Sequence, residues 1–342
     1  MSASSANSGP QAADTNLWKD ENYFPISPDT LNPDALTDFQ VYLRRNGRYV
    51  LFTRERQYFS ESLKQRLVDN DICTVYIPYH QQAGYESYLF DNLEWILKDP
   101  NIPVHVRSRV FLDTTARQVS AIFESSLPAL NEELLEGVQH VVGASLSFLA
   151  TPEAIENIGQ FISHDYETFT HSVHVFTYTM MLMRALAENG ENGQGWEEQT
   201  VIDVGVGALL HDIGKMRIPG AVLNKPGKLN DKEWEMIKGH PVQGMRMCTN
   251  VSLPQASLNG IVFHHEKFDG SGYPAGMSGA EIPLPVRIIT CCDVYDALTS
   301  KRAYAAARTP FDALKIMSDE MQGAFDPEVF KRFIKILGNT AE

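Results

Sequence analysis

Residues 203–215 read DVGVGALLHDIGK. The apolar run DVGVGALL has helical character, and His211 and Asp212 stand side by side at its end. A carboxylate at a helix C-terminus faces the negative end of the macrodipole, so a purely structural aspartate is poorly placed there. The pair supplies one imidazole nitrogen and one carboxylate from a single turn. A carboxylate can join two cations, and histidine is the commonest protein ligand of metals. Working outward, seven of the ten histidines fall between 164 and 265: His164, His171, His174, His211, His240, His264 and His265. His264 and His265 open HHEKFDGSGYP (264–274), where Gly270 and Gly272 allow a sharp turn. His240 lies in IKGHPVQG and His171 in ETFTHSVHV. Asp293 sits inside the apolar stretch PVRIITCCDVYDAL, where an unpartnered carboxylate is costly and a metal would resolve the cost. Glu167 precedes His171 by four residues, so a helix would project both from one face.

The remaining composition narrows the setting. The chain has 342 residues, 43% hydrophobic and 21% charged, which is globular composition and long enough for two domains. With 29 Lys and Arg against 43 Asp and Glu, the net charge is −14. That balance argues against DNA, RNA or an anionic membrane as partner. Four scattered cysteines without a CxxC pair, no bilayer-length apolar run and no signal-peptide pattern give a cytoplasmic expectation.

Residues 1–20, rich in Ser, Ala, Asn and Gly, are expected to be a disordered tail. A small α/β domain with trailing helices is expected over 21–125. Phe39, Val41 and Leu43 alternate inward, Asn46-Gly47 signals a hairpin turn, and RYVLF is its partner strand. SESLKQRLVDND reads as a helix capped by its first serine, and CTVYIPY as a strand with Cys73, Val75 and Ile77 inward. Beyond residue 80 the apolar spacing is helical throughout. The fold class expected is mainly α, with the metal-binding histidines in a C-terminal helical bundle over 126–342.

From about 160 to 330 the chain resembles the HD-GYP family, a branch of the HD-domain phosphohydrolases. HDIGK (211–215), LNKPGKL (223–229), GHP (239–241), HHEKFDGSGYP (264–274) and DVYDALTSKRAY (293–304) match in type and order. The resemblance implies a helical catalytic domain with two or three divalent metal ions, iron or manganese. It implies hydrolysis of cyclic di-GMP to pGpG, which many family members carry on to GMP. By position the implied ligands are His171, His211, Asp212, His240, His264, His265 and Asp293, with Asp212 as bridge. Glu167 marks the three-metal kind. Lys215 corresponds to a lysine on the substrate phosphate, and Asp269, Gly270 and Arg302 are the further substrate contacts expected. Two ions bridged in this way would acidify a shared water, whose hydroxide attacks phosphorus. Protein partners of the diguanylate-cyclase type are implied as well, and a homodimer stays open.

The sequence also departs from the pattern. RAYAAA (302–307) stands where RPYR is common, so Ala305 replaces a basic residue. Arg217 occupies a position often held by glycine, and either narrows the pocket or supplies a cation. His164 and His174 are read as non-ligands. Two alternatives therefore accompany the phosphodiesterase: a catalytically weak cyclic di-GMP receptor, and an enzyme for another cyclic dinucleotide such as cyclic GMP-AMP.

Overall fold

The structure, a computed structural model, describes residues 22–125, 127–161, 168–187, 195–300 and 308–339. The expected tail over 1–20 lies outside them. Contacts divide the chain into two compact units that meet in sequence at Tyr88 and Leu89.

The first unit carries six strands: β1 (Tyr23–Ile26), β2 (Leu36–Thr37), β3 (Val41–Arg45), β4 (Arg48–Thr53), β5 (Gln57–Tyr58) and β6 (Val75–Pro78). Four form an antiparallel sheet in the order β1-β6-β3-β4, while β2 pairs with β5. The expected hairpin is present. Arg45 faces Arg48 across Asn46 and Gly47, whose φ angles of 49° and 73° are the left-handed pair that a two-residue turn requires. Phe39, Val41, Val75 and Ile77 are completely buried. Phe39 packs edge-on against Tyr85 and Tyr88, with ring centroids 5.4 and 5.3 Å away. Helices α1 (Glu61–Val68) and α2 (Gln82–Asp91) complete the elements. Two local expectations fail. Cys73 is exposed, because the strand begins only at Val75. Ser60 stands at the N-cap position of α1, but its hydroxyl pairs with Ser62 Oγ at 2.9 Å and caps no backbone N–H.

The second unit is helical: α3 (Leu93–Lys98), α4 (Val104–Phe123), α5 (Glu132–Leu149), α6 (Pro152–Phe161), α7 (Thr168–Ala187), α8 (Glu198–Leu210), α9 (Gly220–Leu223), α10 (Asp231–Lys238), α11 (His240–Met247), α12 (Gln255–Phe263), α13 (Leu284–Thr299), α14 (Pro310–Asp319) and α15 (Pro327–Asn339). α3 and α4 belong here because they pack on α5, and α4 also on α6 and α7. Their buried Leu93, Ile96, Val110 and Phe111 give this unit part of its core. α7 lies at the centre, against α4, α8, α13 and α15, and every residue from 171 to 183 is buried. A helix buried on all sides is a core helix. α8 and α12 cross at Gly207, where a Cβ would sit 3.0 Å from the backbone of Ser257. That close crossing brings the C-terminal ends of both helices to one place.

Candidate metal centre

Helix ends build this site. His211 is the C-cap of α8, His264 the C-cap of α12, and His240 follows directly on α10. The last turn of a helix leaves carbonyls without intrahelical partners, and all three rings use them. His211 Nδ1 donates to the Ala208 carbonyl at 2.7 Å. His240 Nδ1 donates to Ile237 at 2.8 Å, and His264 Nδ1 to Gly260 and Ile261 at 3.1 Å each. A carbonyl only accepts, so each Nδ1 carries the proton and each neutral Nε2 presents a lone pair.

Asp212 follows His211 and leads into a 3₁₀ turn, Ile213–Arg217. Gly214 lets that turn seat against α11, since a Cβ there would strike the His240 carbonyl and the Gly244 nitrogen. The result is a carboxylate facing two ways. Asp212 Oδ1 lies 3.2 Å from His240 Nε2 and 3.9 Å from His264 Nε2. Asp212 Oδ2 lies 3.4 Å from His211 Nε2 and 3.7 Å from His171 Nε2. His171, from α7, is also 3.1 Å from Asp293 Oδ1 on α13. His265 Nδ1 is 3.8 Å from Asp293 Oδ2. Three donor groups result among the described residues, His171/His211/Asp293, His240/His264/His265 and, linking them, His211/Asp212/His264, each with ligand atoms within 4.8 Å of one another.

These residues fit a cation poorly replaced by anything else. The Nε2 atoms of His240 and His264 stand 3.1 Å apart, and with both Nδ1 protons on carbonyls that is lone pair against lone pair. His211 Nε2 is buried without a hydrogen-bond partner among the described residues. Two carboxylates, Asp212 and Asp293, are buried among the rings. Divalent ions would satisfy all of these atoms, and a mixed imidazole and carboxylate set suits first-row metals without selecting one.

The electrostatics agree. Burial would raise the Asp212 carboxyl, but Lys215, 2.5 Å from Oδ2, and His211 hold it well below the usual carboxylate range. Burial acts likewise on Asp293, and the neighbouring His171 ring more than offsets it. Burial, then neighbouring rings, pulls His264 well below the ordinary imidazole value. Burial pulls His265 down to about 4. Carboxylates are thus ionised and these two rings neutral at pH 7, the forms a metal binds.

Seven of the expected ligands therefore converge. Glu167, the eighth, lies outside the described residues, as do Arg302 and His164. Lys215 sits at the rim with its side chain 16% exposed. Asp269 is exposed, its Oδ1 accepting the Ser271 N–H at 2.9 Å, and Gly270 takes φ 81° in the same turn. Arg217 is exposed, and its guanidinium donates to the Pro128 carbonyl. His174 bonds to Asp296.

The sequence reading passed over Asp296, Glu266 and Tyr273. Glu266 is buried and accepts the N–H groups of Ala275, Gly276 and Met277 at 2.6, 3.2 and 3.0 Å, which shapes the loop after the tandem histidines. Tyr273 folds back so that its ring centroid lies 4.7 Å from that of His265. Its phenol is pushed up by burial and then by Asp293 and Asp212. The signal for Asp296 was available: it stands three residues after Asp293 in an apolar run.

Comparison with known proteins agrees with this geometry. Residues 160–329 match the family model described as HD domain. Cyclic di-GMP phosphodiesterase PA4108 of Pseudomonas aeruginosa is 40% identical over 197 residues, 57% of this chain and 45% of that protein. The 3'3'-cGAMP-specific phosphodiesterase 3 of Vibrio cholerae is 39% identical over 170 residues, 50% of this chain and 35% of that protein. The chain thus spans less than half the length of these two relatives. A solved structure, Bd1817, a HDG"Y"P protein from Bdellovibrio bacteriovorus, aligns with a TM-score of 0.63 over 92% of this chain and 99% of its own, at 21% identity. That likeness is one of fold. No helix of the described residues is long and apolar enough to cross a membrane.

Proposed function

Since residues 160–329 place this chain in the HD domain family, we propose that it is a metal-dependent phosphodiesterase of the HD-GYP branch acting on cyclic di-GMP. The product would be pGpG and then GMP. The observation that carries the reading is Asp212, with one carboxylate oxygen toward each of two histidine-rich groups. His171, His211 and Asp293 would hold one ion, His240, His264 and His265 a second, with Asp212 shared between them. Divalent ions held there, iron or manganese, would supply Lewis acidity and a nucleophile from water at neutral pH.

The chain's own residues do the rest. Carbonyl-anchored Nδ1 atoms keep the Nε2 lone pairs of His211, His240 and His264 aimed inward. Lys215 sits at the rim, where its ammonium would meet a non-bridging phosphoryl oxygen and stabilise the charge that grows there. Asp269, Gly270 and Arg302 would contact the nucleotide. The loop held by Glu266 closes one side and helps exclude bulk water from the reacting phosphodiester. Glu167 would hold a third ion beside His171.

A second substrate has a specific observation behind it. The relative from Vibrio cholerae is specific for 3'3'-cGAMP and is 39% identical over 170 residues. Anaerobic loading with iron(II) or manganese(II), followed by chromatography of reactions with each dinucleotide, tests both. Turnover of cyclic di-GMP to pGpG supports the proposal, and turnover of 3'3'-cGAMP alone moves the substrate. Intact dinucleotides with both metals would defeat it.

A further inference from the structure

Asp296 stands one helical turn beyond Asp293 on α13 and is completely buried. Its carboxylate collects three donors. Oδ2 accepts from His171 Nδ1 at 2.7 Å and from Ser300 Oγ at 3.1 Å, and Oδ1 accepts from His174 Nδ1 at 2.9 Å. Only an ionised carboxylate accepts at both oxygens from three donors. Burial would raise its pKa, but the bonds to His171 and His174 hold it below the ordinary carboxylate range.

His171 differs from His211, His240 and His264 in one respect. His211, His240 and His264 stand where a helix has just ended, and each finds a backbone carbonyl for Nδ1. His171 stands inside α7, where the carbonyls of the described residues before it, 168–170, lie within the helix. Its Nδ1 acceptor is a side chain, Asp296. The orientation of these three rings is thus written into the backbone, while that of His171 depends on a replaceable carboxylate.

We propose that Asp296 is the positioning residue of this centre: it fixes the proton of His171 on Nδ1, so that Nε2 faces Asp212 and Asp293, and His174 holds Asp296 in register for that task. The inference rests on the metal reading given above for its consequence, though not for the tautomer itself. Losing the carboxylate weakens the His171/His211/Asp293 group and spares His240/His264/His265.

Two measurements test it. Long-range proton–nitrogen correlation spectra of metal-free protein labelled on histidine nitrogen report the tautomer of His171, assigned with His171→Gln. Wild type is expected to carry a proton on Nδ1, whether or not Nε2 also holds one against Asp293, and Asp296→Asn to carry its proton on Nε2 alone. A proton on Nε2 alone in wild type overturns the proposal whether or not the variant folds. Calorimetric titration with manganese(II) reads the consequence. Asp296→Asn is expected to weaken one class of site about 10–100-fold, the range for loss of an outer partner of a ligand histidine, and to leave the other class unchanged. Unchanged affinity at both classes, or equal loss at both in a folded variant, overturns it. A wild type that takes up no manganese(II) removes the metal reading, and the tautomer of Asp296→Asn then decides the role of Asp296 alone.

Discussion

The two units share an apolar core and differ in the polar residues they bury. The sheet unit encloses Phe39, Val41, Val75 and Ile77, and its buried polar side chains are threonine hydroxyls: Thr30, Thr37 and Thr53. The helical unit encloses His171, His174, His211, His240, His264, Asp212, Asp293 and Asp296. Removing a charge from water costs several kcal/mol unless a partner offsets it. A fold keeps such groups inside only where they answer one another or a bound ion. The sheet unit is arranged for packing, and the helical unit accepts poor solvation at one place where chemistry can follow.

The largest difference between the units should appear in activity. Lys215→Ala is expected to keep its metal and lose about 10²–10³ in turnover, the usual effect of removing one group that stabilises transition-state charge. Metal lost in proportion to activity would make the lysine a structural partner of Asp212 instead. In the sheet unit the strongest expected effect is on stability. Phe39→Ala should cost about 3 kcal/mol, because a large ring leaves a closed cavity beside Tyr85 and Tyr88. Urea unfolding measures it, and a cost under 1 kcal/mol would show that this core collapses to fill the gap.

Acid should find the helical unit first. His264 and His265 are held below the ordinary imidazole value, His265 at about 4. The unfolded rings therefore take up protons near pH 6.5 while the folded ones do not. The stability they contribute is fully present above pH 6.5 and is lost as pH falls toward 4. The depressed Asp212 and Asp293 add a loss at still lower pH. Metal-free protein should thus show a urea midpoint that drops between pH 7 and 4.5, and a flat profile would contradict the neutral, buried state of the two rings. At the small end, Val50 on the sheet edge is 50% exposed, and Val50→Ala should shift stability by no more than about 0.5 kcal/mol.

Much of the site was legible because its residues carry unusual chemistry at fixed spacing. His211-Asp212 ends a helix, and His264-His265 does the same on α12, so one crossing at Gly207 suffices to join them. The hairpin at Asn46-Gly47 was legible for a different reason, since few residues tolerate two left-handed positions. What escaped depends on distance in sequence. Asp296 serves His171 from 125 residues away, and nothing local to DVYD reveals which ring it will meet. The side of the unit boundary on which a helix falls is likewise set by distant contacts. α4 is as helical as its neighbours, and only its packing on α5, α6 and α7 assigns it to the helical unit. Cys73 was misread because alternation alone does not show where pairing begins.

The central claim is that Asp212 joins two metal-binding groups into one reacting centre. Elemental analysis of Asp212→Ala beside wild type, both expressed with iron or manganese and assayed on cyclic di-GMP, tests it most directly. The variant is expected to carry less metal than wild type and to leave the dinucleotide intact. Wild-type metal content together with wild-type turnover in Asp212→Ala would contradict the account.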